Sequence, residues 1–307
     1  MVHRSAAPAL PWARRLLDQI PESVVWNQPQ HSSGCSAGPI TTGTITTVTD
    51  LETLAYVNYG NFTAMPVCPA GVRGLGLHLE RLDRDARILF GHGVDGDEVR
   101  ARIHAAVQGH ELPANVRVTV FVPNLPVDRI DDLPEPEFLV RVRPLVPSRP
   151  AAARLRSTRY ARDLPQVKHV GTFGLFHQYR LARQAGYDDA LFVSADGRIS
   201  ESTVSNVGFY DGSRIVLPAA PALPGIEMRL LTDGLRRHGV DHETWDLRLP
   251  DLSGFRSAFM TNVINGATPI AAIDDVRFDL DPALVELLEA AHLSNPLEPL
   301  VNGDLGR

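Results

Sequence analysis

Residues 164–176 read LPQVKHVGTFGLF, a short extended run that turns into a helix, and they hold the chain's single lysine, Lys168. The chain has 30 Lys+Arg, so arginine occupies every other such position. A guanidinium stays protonated at any usable pH and cannot attack a carbonyl, whereas a lysine amine can lose its proton and form an imine. A lone lysine among arginines is therefore a candidate for covalent chemistry. The competing reading is that an arginine-biased composition left one lysine by chance, and the neighbouring sequence has to decide between them.

Working outward, GTFGLFHQYRLARQAG reads as a helix closed by Gly186. DDALFVSADGRISES is a hairpin turning at Asp196-Gly197, and NVGFYDGSRIVLP is another at Asp211-Gly212. PGIEMRLLTDGLRRHG is a helix stopped by Gly239, SAFMTNVINGATPIAAI is two buried strands around a turn, and DPALVELLEAAHL is a last helix. On the other side, VPSRPAAARL (146–155) reads as a Pro-containing linker. Before it, NFTAMPVCPAGVRGLGLHL has strand-like patches, with Pro66 awkward for a central strand. Two helices follow, LHLERLDRDARILFG and DGDEVRARIHAAVQ, then strands VRVTVFVP and EFLVRVRPL. This predicts an α+β protein in five parts. They are an N-terminal extension (1–49) with a short helix at PWARRLLDQI, a small α+β domain (50–145), the linker, a larger domain (156–293) and a loose tail (294–307).

The length of 307 residues exceeds what one core usually supports, consistent with two domains. A net charge of −6 and the lack of a basic stripe with interleaved aromatics disfavour nucleic acid as partner. No apolar run approaches the ~20 residues of a membrane span, and no secretory signal is expected. Cys35 and Cys68 form neither a metal pair nor a disulfide framework, which fits a cytoplasmic protein.

Gly91, Gly93 and Gly96 spell G-x-G-x-x-G, but a helix precedes them where a dinucleotide loop needs a strand, so they read as a helix–helix turn. The histidines lack metal-ligand spacing, and no G-x-S-x-G elbow is present. The informative set surrounds Lys168. Arg81 sits in HLERL, Glu201 and Asn206 in ESTVSN, Gly225 and Ile226 at a Pro-Gly turn opening a helix, and Thr261, Asn262 and Val263 at a turn between strands. Alone, Glu201 reads as a hairpin-end acid, Gly225 as a helix cap, Arg81 as a surface residue and Asn206 as a turn residue. Together they suit a phosphorylated aldehyde cofactor. The lysine forms an imine, a carboxylate keeps a pyridine nitrogen protonated, and a helix N-terminus, a second turn and an arginine cup a phosphate.

With these motifs, the chain resembles the class IV aminotransferases, the fold-type IV pyridoxal-phosphate enzymes, over about Phe62 to Ile273. HLERL is similar to the family's H-x-x-R-L helix, VKH to its Schiff-base lysine, ESTVSN to E-x-x-x-x-N, and LPGI and TNVINGATPI to its two phosphate turns. The resemblance implies a small α/β-sandwich domain, a larger pseudo-barrel domain, bound pyridoxal 5'-phosphate and a homodimer. It implies Lys168 as catalytic residue. For the cofactor it implies Arg81, Glu201, Asn206, Gly225, Ile226, Thr261, Asn262 and Val263. The stretch NYGNFTAM should border the substrate pocket, with Tyr59, Asn61 and Thr63 as candidates. Arg117, Arg141 and Arg143 are open candidates for a substrate carboxylate.

Phe173 stands where branched-chain enzymes carry a tyrosine, which makes a branched-chain substrate doubtful. The implied activity is amino-group transfer between an amino acid or amine and a 2-keto acid. The Lys-His pair and Thr-Asn turn favour an aminodeoxychorismate-lyase-like alternative that releases pyruvate. A non-catalytic family member is a third reading, against which the intact Lys168 and Glu201 argue.

Overall fold

The computed structural model describes residues 48–147 and 150–301. The predicted helix at PWARRLLDQI lies outside them. In chain order, α1 (Val48–Val57) leads into β1 (Asn61–Val67), β2 (Val72–Arg73), α2 (Leu75–Phe90), α3 (Gly96–Val107), β3 (Ala114–Phe121) and β4 (Glu137–Pro144). Strands β1, β3 and β4 form an antiparallel sheet with β3 in the middle. One face, with Met65, Val67, Val116, Val118 and Val120, packs on Leu82, Ala86, Phe90, Val99 and Ile103 of α2 and α3. The period-two alternation of the strands meets the apolar stripe of two helices, and together they close the smaller core.

Pro66 is accommodated because β1 is an edge of this sheet. Helix α2 stops at Gly91, whose φ of 77° a side chain would strain, and Asp95 caps α3 by accepting from the amides of Asp97 and Glu98. The G-x-G-x-x-G run is this helix–helix turn.

The larger part contains β5 (Ala153–Arg159), α4 (Phe173–Gln184), β6 (Asp189–Val193), β7 (Ile199–Ser202), β8 (Asn206–Tyr210), β9 (Ile215–Pro218), α5 (Ile226–Arg237), β10 (His242–Trp245), β11 (Ser257–Asn262), β12 (Gly266–Ile273), β13 (Val276–Arg277), α6 (Pro282–Leu293) and β14 (Leu297–Glu298). Its sheet runs β8-β11-β12-β5-β6-β7, and a further β7–β8 pairing closes it into a barrel; β9 and β10 extend it beyond β8. Ala153, Leu155, Leu191, Ile199, Val207, Phe209 and Ile270 are buried in one barrel cluster. Helices α5 and α6 pack outside against Phe259 and Ile215, where Gly234 lets α6 approach so closely that a Cβ there would lie 2.0 Å from the Ala291 carbonyl oxygen.

Two expected boundaries shift. The linker reading of 146–155 overran a strand, because β5 starts at Ala153 and lies between β12 and β6, parallel to both. Ala153 and Leu155 are fully buried there. The three alanines before Arg154 and the flanking prolines hid a strand whose partners lie far away in sequence.

The tail reading of 294–307 also changes. Among the described residues 294–301, β14 pairs with β2, and Arg100 donates to the Pro299 carbonyl at 2.9 Å. Asn295 is buried; its amide nitrogen donates to the carbonyls of Leu230, Ala291 and His292, and its oxygen accepts from Arg237. This segment fastens the ends of α5 and α6 and carries the chain back onto the smaller domain. Asn295→Ala should cost about 1–3 kcal/mol, because buried carbonyls lose their donor. A lowered urea midpoint with unchanged slope is the expected result.

Candidate active site

The two parts meet along the free edge of β1. The Phe62 amide donates to the Lys168 carbonyl at 2.9 Å, the Val170 amide to the Gly60 carbonyl at 2.8 Å, and Asn61 bridges His169 in antiparallel register. The lysine segment thus extends the small sheet by one short rung. Its backbone is gripped further: Arg162 Nη2 donates to the Val167 carbonyl at 2.8 Å, and the Lys168 amide donates to Asp85 Oδ2 at 2.8 Å.

Beside this rung lies a cavity of about 340 Å³ lined from both domains. Lys168 opens into it, with Nζ 4.9 Å from the centre of the Phe62 ring. The packed wall pushes the amine pKa down to about 7, first by desolvation and then through Arg81, Arg162 and Arg117, while Glu201 pulls it back up. Close to neutral pH, half of such amines are unprotonated and nucleophilic.

At one end of the cavity, Arg81 is 5% exposed. Its Nη2 donates to the Thr63 hydroxyl, which in turn lies 2.6 Å from His78 Nδ1. Burial, then Arg81 and Lys168, drive the His78 pKa well down, so the ring is neutral. Burial also lowers the Arg81 pKa, to about 10, with Asp85 opposing the fall. Arg81 stays charged, and its Nε is buried without a partner.

Two backbone turns line the same cavity. Helix α5 begins at Ile226 behind Gly225, with no side chain capping its first amides. The β11–β12 turn is shaped by Asn262, whose Oδ1 accepts from the amides of Ile264 and Asn265 at 3.0 Å each and whose Nδ2 donates to Ser205 Oγ at 2.9 Å. Thr261 Oγ1 is buried there without a partner. A free guanidinium nitrogen, a free hydroxyl and an uncapped helix N-terminus are the complement of a phosphate.

Glu201 is 5% exposed and faces the same cavity. Its Oε2 accepts from the Leu223 amide at 3.3 Å, and Oε1 lies 3.8 Å from Arg162 Nη1. Burial pushes its carboxyl up; Arg162, the Leu223 amide and Lys168 oppose this. Asn206 Nδ2 donates to the Leu223 carbonyl at 2.8 Å, so Glu201 and Asn206 hold both polar groups of one peptide residue ahead of the α5 turn. The turn then passes so near Asn206 that a Cβ on Gly225 would lie 1.8 Å from Asn206 Oδ1. A side chain there would displace Asn206.

Lys168, Arg81, Glu201, Asn206, Gly225, Ile226, Thr261, Asn262 and Val263 therefore all line one cavity. Tyr59, Asn61 and Thr63, expected at the substrate pocket, are not among its lining residues. Tyr59 donates to the Leu89 carbonyl at 2.9 Å and packs edge-on against Phe90. Asn61 donates to the Leu82 carbonyl at 3.2 Å, and Thr63 serves Arg81 and His78. The opposite face of β1 supplies Phe62 and Ala64 to the cavity. The polar residues of NFTAMPV instead satisfy their hydrogen bonds inside the small domain.

Of the three candidate arginines, Arg117 lines the cavity, with its guanidinium 3.7 Å from the Phe62 ring centre, and Arg141 and Arg143 do not. Arg162 and Asp85 escaped sequence reading altogether, since no spacing pattern ties either to the lysine. Among the described residues, no group of three or more His, Cys, Asp or Glu could hold a metal ion, and no helix is long and apolar enough to cross a membrane.

Residues 60–273 match the amino-transferase class IV family, and the chain belongs to it. A probable branched-chain-amino-acid aminotransferase from Rickettsia bellii is 25% identical over 64% of this chain and 72% of its own. The fold is shared with solved structures. A putative 4-amino-4-deoxychorismate lyase from Legionella pneumophila superposes with TM-score 0.73 at 19% identity, over 81% of this chain and 95% of that one. An aminotransferase from Brucella abortus bound to the cofactor PLP superposes with TM-score 0.72 at 17% identity, over 83% and 94%. The chain is thus an enzyme of the fold-type IV architecture, with a closed sheet barrel beside a smaller α/β unit.

Because Lys168 is the only lysine, acetic anhydride labelling read on its peptide reports this amine alone. In cofactor-free protein the labelling rate should titrate with a midpoint near pH 7, against 10.5 for an ordinary lysine. The linked stability has a definite sign. Between those two pH values the unfolded chain holds the proton more tightly, so stability rises with pH across that window. Replacement by methionine should flatten this rise.

Proposed function

We propose that the protein is a pyridoxal 5'-phosphate-dependent aminotransferase in which Lys168 is the catalytic residue. The observation that carries the reading is one cavity holding an amine of pKa about 7, a buried carboxylate, and a cup of phosphate-binding groups whose Arg81 Nε and Thr261 Oγ1 lack partners. Bound there, the cofactor supplies an aldehyde that a lysine amine takes up as a Schiff base, and a ring that accepts electrons from a substrate carbanion.

The residues divide that work. Arg81, the Thr261 hydroxyl, the turn at Asn262 and Val263, and the α5 amides behind Gly225 and Ile226 hold the phosphate. Glu201 would hold the ring nitrogen in its protonated form, and that positive charge would offset the desolvation of the carboxylate. Asn206 keeps the Leu223–Gly225 turn in place. Lys168 Nζ accepts a proton from the substrate carbon as base and returns it as acid, and a pKa near neutrality suits both directions. Arg117, which lines the cavity beside Phe62, receives the substrate carboxylate.

His169 beside Lys168, with Thr261 and Asn262 at the second turn, favours a second reading on the same scaffold, a lyase that releases pyruvate from aminodeoxychorismate. Absorbance settles whether cofactor binds at all. Purified protein should carry a visible Schiff-base band that shifts on adding amino acids, and Lys168→Ala should abolish it while leaving the circular dichroism unchanged. A colourless parent protein indifferent to amines would instead point to a non-catalytic family member. Pyruvate released from aminodeoxychorismate without a keto-acid acceptor would select the lyase; amino transfer that requires a 2-keto acid selects the aminotransferase.

We extend the reading to a cytoplasmic homodimer. Phe176 and Val204 line the cavity and are exposed, as is nearby Phe173, an apolar face that a second copy would bury. Sedimentation should give twice the chain mass, and Phe176→Glu should shift it toward the monomer.

A further inference from the structure

The two oxygens of one buried carboxylate serve two different donors. Asp85 lies on α2 one turn beyond Arg81 and is fully buried. Its Oδ1 accepts from Arg84 Nε at 3.0 Å and Nη2 at 2.6 Å, and its Oδ2 accepts from the Lys168 backbone amide at 2.8 Å. Arg84 Nη2 also donates to the Gln166 carbonyl at 3.0 Å. One helix therefore presents Arg81 to the cavity and grips the backbone of residues 166 and 168 through the next turn. The lysine stem has four rotatable carbons, so the amine is only as well placed as the backbone from which it projects.

We propose that Asp85, braced by Arg84, is a positioning residue for Lys168, fixing the lysine backbone to the same helix that carries the phosphate arginine. The proposal rests on Lys168 being the reactive amine. A carboxylate is required because both partners donate. An asparagine has one acceptor oxygen and one NH₂ group, so whichever way it turns, a donor faces either Arg84 or the Lys168 amide. Asp85 also opposes the fall in the Arg81 pKa, so its charge serves the phosphate end of the cavity as well.

The test uses the single-lysine labelling on cofactor-free protein, beside steady-state kinetics of the holoenzyme. Besides Asp85, the titratable groups facing Lys168 are Arg81 and His78 on α2, Arg117 on β3, Arg162, Glu201 and the neighbouring His169, and these are kept in the variants. Loss of the Asp85 charge alone would lower the midpoint, so a rise in Asp85→Asn reports a displaced amine. Asp85→Asn should raise the labelling midpoint by about one pH unit as the amine gains water. It should lower kcat by roughly ten- to a hundredfold, the usual scale for a misplaced reacting group, with the donor KM within about twofold.

Arg84→Gln should shift both in the same direction but less. The double variant Arg84→Gln/Asp85→Asn should recover to the level of Arg84→Gln alone, because the asparagine oxygen is then free to turn to the Lys168 amide. A folded Asp85→Asn protein with the parent midpoint and kcat overturns the proposal. A double variant no better than Asp85→Asn does the same, assigning the loss to buried charge. If Asp85→Asn does not fold by circular dichroism, Arg84→Gln decides, and an unchanged midpoint there overturns it. Labelling needs no turnover, so this failure is separable from failure of the aminotransferase reading, which the colour of the parent holoenzyme tests.

Discussion

The backbone rung between Phe62 and Lys168 is the contact on which the site depends. It attaches the lysine segment to the edge of β1, and so makes a wall of the smaller domain continuous with a wall of the barrel. Everything chemical follows from that juncture. The amine projects into a space bordered by guanidiniums from α2, β3 and the Arg162 loop, and desolvation with like charge removes its preference for the protonated state. An amine elsewhere on the surface would keep its proton and do nothing.

Polar groups in the small domain's core look costly, since α2 buries His78, Arg81 and Asp85 on its inward face. Each is answered by a specific partner. Thr63 lies between Arg81 and neutral His78, and Asp85 faces Arg84 and the Lys168 amide. Of the buried side-chain atoms without a partner, Arg81 Nε, Arg162 Nε and Thr261 Oγ1 belong to residues that line the cavity, where a ligand can answer them.

The barrel contributes rigidity. Glu201, near the end of β7, and Asn206, which opens β8, grasp the two sides of Leu223, which sets the entry of α5 and brings position 225 close against Asn206. Asn262 stitches the β11–β12 turn to Ser205 in the turn between Glu201 and Asn206. Three loops distant in sequence are thereby interlocked, so the carboxylate and the phosphate turns cannot move independently.

Much of this was legible in residue order. Helix ends at Gly91, Gly186 and Gly239, hairpin turns at Asp-Gly pairs and the run of motifs around the lone lysine are local signals, set by backbone strain and hydrogen-bond chemistry within a few residues. What local signals do not carry is pairing at a distance. Strand β5 passed for a linker because its partners are β12 and β6, and Asn295 passed for tail because its partners lie on α5 and α6. The face of β1 that meets the cavity was opposite to its polarity, since Asn61 and Thr63 find their hydrogen bonds inward. Arg162 and Asp85 acquire roles only through neighbours brought from elsewhere. The sequence by itself determined which groups are chemically capable, above all a lysine that nothing else in the chain can replace. The tertiary structure alone decided which of them share a cavity and what charge they hold there, because proximity and desolvation are properties of packing.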